Sequence, residues 1–92
     1  MTIRFNPPHL QTQPNAANFI RIASELMEPE IVGELRVLQA SSHANLRLVL
    51  IISGRIPVSV DAPPHLLEAE AKPDLIRPVL DQLLRLLPAH AR

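Results

Sequence analysis

Catalysis or metal binding in this chain would have to come from a few histidine-, serine- and carboxylate-bearing stretches. The four histidines, His9, His43, His65 and His90, lie far apart in proline-rich or loop-like contexts. None has a second histidine three or four residues away, the spacing that sets two imidazoles on one helical face. They read as solvated loop residues, and no metal site is expected. Ser41, Ser42 and His43 stand together in "SSHAN" and are the residue types of nucleophilic catalysis. Sequence neighbours rarely reach nucleophile–base geometry, and no glycine-bearing elbow surrounds either serine, so the stretch reads as a turn. "SGR" at residues 53–55 has a single glycine, too few for a nest of backbone amides around a phosphate. Glu68 and Glu70 form an acidic pair with no second acidic element to complete a metal cage, and read as a solvated helix surface. Arg36, Arg47 and Arg55 could make a basic stripe, but Arg47 is expected to be neutralised by Asp61. The expectation is a chain that is not an enzyme, with no catalytic residue, cofactor or metal.

Composition narrows the class further. A length of 92 residues means one domain. Folding at that size buries only about 60–65% of the unfolded chain's surface, so any second apolar surface matters to stability. Hydrophobic residues make up 47% of the chain, supplied by Leu, Ile, Val and Ala, with two Phe and no Tyr or Trp. Aromatic side chains that mark base-stacking or sugar sites are therefore missing. The formal net charge is zero, which argues against a nucleic-acid partner, because that affinity rests on neutralising phosphates. Eight of the nine basic residues are Arg, as GC-rich codon usage of a bacterial or phage type produces. Absence of Cys removes disulfides and thiolate chemistry. The amino-terminal stretch has no signal-like apolar core, and no run approaches the roughly 20 apolar residues of a membrane helix. A cytoplasmic protein without membrane contact is expected.

Prolines punctuate the elements. Residues 1–14 read as an extended arm, in which "TIRF" alternates and could pair as a short edge strand. Asn15 suits a helix N-cap, and Ala16, Phe19, Ile20, Ile22, Ala23, Leu26 and Met27 share one face of the helix that follows, ending near Glu28. Residues 30–40 are ambiguous; Leu35 and Val37 flanking Arg36 favour a strand over about 34–40. Strands over 46–52 and 56–61 follow. Pro57 has no N–H, so a two-residue turn would waste a ladder position on it; a three-residue loop at 53–55 points its nitrogen outward and sets Arg47 across from Asp61. One face then carries Leu46, Leu48, Leu50, Ile52, Ile56, Val58 and Val60. A five-residue loop from Ser41 adds Leu38 and Ala40, leaving Leu35, Val37, Val49 and Ile51 as a second patch rimmed by Gln39, Arg47, Ser59 and Asp61. The last helix starts with Asp74 as N-cap, contains Pro78 and stops at Pro88. Its apolar arc is wider than one sheet contact requires, with Leu80, Leu84 and Leu87 assigned to an outer flank.

These elements predict an α+β fold in a single domain at 15–88, with 89–92 frayed. An N-terminal helix, a three-stranded antiparallel meander and one or two C-terminal amphipathic helices make it up. If 30–40 is helical, the alternative is a mostly α domain with one β-hairpin. The function expected is a non-enzymatic protein–protein interaction module, an adaptor, inhibitor or small chaperone, that pairs with itself as a homodimer and with a further protein. Its interface candidates are Leu80, Leu84 and Leu87 on the helix and Val37, Val49, Ile51, Arg47 and Asp61 on the sheet. The alternative is a carrier of an apolar ligand such as an acyl chain; a nucleic-acid-associated regulator is a weaker one.

Overall fold

Apolar side chains alternate with polar ones along three segments and run almost unbroken along a fourth, and in the computed structural model these segments form one sheet. The structure describes residues 2–27, 33–41, 44–68 and 73–87. Strands β1 (Thr2–Asn6), β2 (Gly33–Gln39), β3 (Leu46–Ile52) and β4 (Val58–Ala62) lie across the sheet in that order. β1 runs parallel to β2, and the chain passes between them through helix α1 (Ala16–Leu26); β2, β3 and β4 form an antiparallel meander. Helix α2 (Pro73–Arg85) follows β4, and two short 3-10 segments, Pro8–Thr12 and Pro64–Leu67, turn the chain back onto the core. Among the described residues no helix is long and apolar enough to cross a membrane.

The α+β class holds, but the sheet has four strands and is mixed, where a three-stranded meander was expected. The fourth strand comes from the 1–14 segment, read as an extended arm in which "TIRF" could pair as a short edge strand; that edge strand forms, parallel to β2. The segment contains β1 and a 3-10 turn whose Leu10 is buried. A parallel partner is reached only by a long crossover, so no local turn signal announces it.

Both helices cover one face. Phe5, Val37, Leu48 and Val60 stand in register across all four strands, and Ile3, Leu35, Leu50 and Val58 form the next row. These rows meet Phe19, Ile22 and Ala23 of α1 and Ile76, Leu80 and Leu83 of α2 in one core. Phe5 and Phe19, the chain's two aromatic rings, pack edge to face with centroids 6.1 Å apart, tying β1 to α1.

The β3–β4 register is the expected one, with Arg47 opposite Asp61 and Leu48 opposite Val60. The turn at 52–55 closes with the Arg55 N–H donating to the Ile52 carbonyl (3.0 Å), and Gly54 adopts φ +76°, the left-handed value a type II turn needs at that position. Ile56, expected on the core face, lies before β4 begins and is 87% exposed. The β2–β3 register differs from expectation by one residue. Gln39, not Ala40, pairs with Leu46, and that slip moves every β2 side chain to the other face. Leu35 and Val37 are therefore fully buried, and Leu38 faces outward. The reason is charge. The expected register would have turned Glu34 and Arg36 into the core, at a desolvation cost that Leu38 and Ala40 could not offset.

Two details of the helices also differ. Asn15 occupies the N-cap position of α1 but makes no capping bond. Instead its buried side-chain amide donates to the Leu66 carbonyl (3.0 Å) and its Oδ1 accepts from Asn18 Nδ2 (2.8 Å). Its backbone N–H donates to the Leu67 carbonyl (3.0 Å), so Asn15 clamps the start of α1 to the second 3-10 segment. Helix α2 opens at Pro73, leaving Asp74 in the first turn, where a carboxylate complements the helix dipole.

Two stability predictions follow from this packing. Asn15→Ala should cost about 1–3 kcal/mol in urea unfolding, because the Leu66 carbonyl is left without a donor. A Cβ on Gly33 would overlap the Ile51 carbonyl oxygen of the neighbouring strand. Gly33→Ala should therefore lower stability by about 1–3 kcal/mol, as overpacking does. An unchanged urea midpoint would contradict the Asn15–Leu66 bond in the first variant and the close approach of Gly33 to the Ile51 carbonyl in the second.

Candidate interaction surface

Among the described residues the sheet's second face has no helix on it, and alternation decides which side chains stand there. Thr2, Arg4 and Asn6 of β1 are exposed there beside Glu34, Arg36 and Leu38 of β2. Next come Arg47, Val49 and Ile51 of β3, and then Ser59 and Asp61 of β4. In register, Asn6, Leu38, Arg47 and Asp61 form one row across the sheet, and Arg4, Arg36, Val49 and Ser59 form the next.

Carboxylates hold the arginines in place. Arg4 Nε lies 2.6 Å from Glu34 Oε1, and Arg36 donates to Glu34 Oε2 at 3.2 Å. The first contact is ionic rather than an aligned hydrogen bond. Glu34 sits between two guanidinium groups and its side chain is only 21% exposed. Arg47 Nε donates to Asp61 Oδ1 at 3.1 Å. Every open-face arginine thus has an acidic neighbour, but Arg4 and Arg36 share Glu34, so the expected basic stripe is largely compensated and keeps one excess positive charge. Arg55, its third expected member, is exposed at the hairpin turn.

Leu38, Val49 and Ile51 are half-buried among these charged side chains. Arginine stems can cover such apolar surface while their heads stay in water. Two shallow depressions flank Leu38. One, of about 520 Å³, is lined by Asn6, Gln39, Asn45, Arg47 and Asp61, and the other, of about 270 Å³, by Arg4, Asn6 and Arg36.

The sequence-derived candidates divide accordingly. Val49, Ile51, Arg47 and Asp61 come together on the open face. Val37 does not join them, because the β2 register turns it into the core. Leu80 and Leu87, expected on an outer helix flank, are core residues, and Leu84 is half-buried against that core. Sequence reasoning missed Arg4, Glu34, Arg36 and Leu38 as part of the surface. The polar positions alternating with Ile3, Phe5, Leu35 and Val37 were the available signal.

Chemically, this arrangement offers apolar contact at its centre and directed ionic contacts around it. Exposed His9 and His65 stand apart from it, and His43, His90, Ser42 and Glu70 lie outside the described residues. Among the described residues, no three His, Asp or Glu side chains are close enough to hold a metal ion. No protein-family model, curated protein or solved structure matches the chain.

The Arg47–Asp61 pair provides a direct check of this surface. Both side chains are about 60% exposed, so alanine at either position should cost only about 0–1 kcal/mol. A double-mutant cycle should give a small favourable coupling that fades in about 1 M salt, where the Debye length is near 3 Å. Strictly additive effects would mean that the two side chains do not meet in solution.

Proposed function

We propose that the chain is a non-enzymatic protein-interaction module, an adaptor, inhibitor or small chaperone, that docks another protein on the open face of its sheet. One observation carries this reading: Leu38, Val49 and Ile51 form an uncovered apolar centre inside a rim of Arg4, Arg36, Arg47, Glu34 and Asp61. An apolar centre within a polar rim is the anatomy of protein contact surfaces, and arginine is over-represented in them. The arginines also keep binding capacity in reserve. Arg47 uses Nε on Asp61, so its two terminal nitrogens can donate to a partner's carboxylate. The fitting partner is a protein presenting an apolar side chain flanked by acidic ones.

Replacing Val49 with Lys tests this at the centre of the patch. The native chain, immobilised and exposed to an extract of its host, should retain a discrete protein whose cross-links map to β2 and β3. Val49→Lys should weaken that retention about tenfold or more, equivalent to ~1.4 kcal/mol, with circular dichroism unchanged. Retention equal to that of the native chain, or cross-links confined to the helices, would overturn the assignment.

A further inference from the structure

Helix α2 has a second flank that its own core uses only in part, through the half-buried Val79, leaving Leu75 and Leu86 exposed at its two ends. Ile76, Leu80 and Leu83 point into the core, and Arg77 reaches Glu25 of α1 at 3.5 Å. That ion pair identifies the flank of α2 that faces α1. On the opposite flank, Leu75, Val79, Gln82 and Leu86 recur at spacings of four, three and four residues, which keeps them within roughly 60° of helix arc. The Leu86 N–H bonds the Leu83 carbonyl (3.2 Å), carrying the strip through the final tightened turn. Leu75 and Leu86 are 44% and 50% exposed, two of the three large hydrophobic residues exposed among those described.

The position of this strip in the fold is set by its neighbours. α1 connects β1 to β2 and stacks Phe19 on Phe5, so it occupies that half of the sheet. α2 packs beside α1 and against β4. The flank of α2 turned away from α1 therefore overhangs β4, whose outer edge pairs with no strand among the described residues.

We infer that two copies of this chain associate through this flank, α2 against α2 of the second copy, about a twofold axis beside the β4 edge. The strip is its own complement. Running two such helices antiparallel sets Leu75 opposite Leu86 of the second copy and Val79 opposite Gln82, because the spacing reads the same from either end. The same arrangement brings Asp74 near Arg85 of the second copy. These two residues flank the strip on its solvent side, carry opposite charges, and have no ion-pair partner among the described residues. A helix dipole favours an acid at its start and a base at its end in any helix; here their offset also matches across the twofold. Such an isologous contact is the commonest route to a homodimer. It leaves the open sheet face free, so it stands or falls independently of the docking surface proposed there.

Sedimentation velocity of the full chain over a concentration series tests the contact. The native chain should form a dimer. Leu86→Lys should weaken it about a hundredfold, since each dimer loses two buried leucines, with circular dichroism retained. Asp74→Arg should weaken the dimer several-fold by facing Arg85 of the second copy with a like charge, and the swap Asp74→Arg with Arg85→Asp should recover it. Val49→Lys should leave the dimer intact. A native chain that stays monomeric throughout, or a dimer unmoved by Leu86→Lys, overturns the inference.

Discussion

Glu34 and Arg36 cannot enter an apolar core, and most of the architecture rests on that exclusion. They alternate with Leu35 and Val37 on β2, the strand that carries both the parallel β1 and the antiparallel β3. Turning the two charges outward leaves one pairing with β3 and sends Leu35 and Val37 beneath the helices. The cost of burying an unpaired charge runs to several kcal/mol, far more than exposing Leu38. A single apolar residue is therefore left on the wrong side of the strand. Leu38 becomes the middle of the open face for that reason, with Arg4 and Arg36 beside it.

A small sheet covered on one side must then manage its other side. Antiparallel sheets often leave one face to water, and a solvated face usually alternates cleanly to polar residues. Here β3 departs from that rule at Val49 and Ile51, which are half-buried although no helix among the described residues covers them. Paired arginines around them reduce the water contact of the apolar centre without removing it. Surfaces of this kind remain wettable in the free protein and still gain from being covered, which is the physical basis of the docking reading.

The two proposed contacts draw on different chemistry. The open face is broad, ionic at its margin and rich in guanidinium groups that a second carboxylate can still engage. The outer strip of α2 is narrow, apolar at both ends and charged only along one side. A chain of this size buries a modest share of its surface, so each contact adds area that the monomer's core cannot supply. Placing them on opposite sides of the sheet's β4 half lets both be occupied together.

Much of this was legible in the linear chain. The β3–β4 register, and with it the Arg47–Asp61 pair, was legible by reasoning from Pro57 and the turn residues of one hairpin, although Pro57 itself lies just before β4. The two helices and their apolar faces followed from periodicity. The parallel pairing of β1 was not legible, since its partner lies a whole helix away and no turn links them. Nor was the outer flank of α2: its apolar arc runs from Leu75 around to Leu84, wider than the core needs. Periodicity measures that arc but carries no information about which neighbour covers which part. Packing of α1 on one side and the end of the sheet at β4 on the other decided that Leu80 and Leu87 are buried while Leu75 and Leu86 face outward. Element type and the pairing within one hairpin were determined by the sequence alone, whereas Asn15 spends its side chain on the distant Leu66 carbonyl and not on a local cap. Which of two apolar flanks remains exposed depends on elements distant in the chain, and only their assembly in three dimensions settles it.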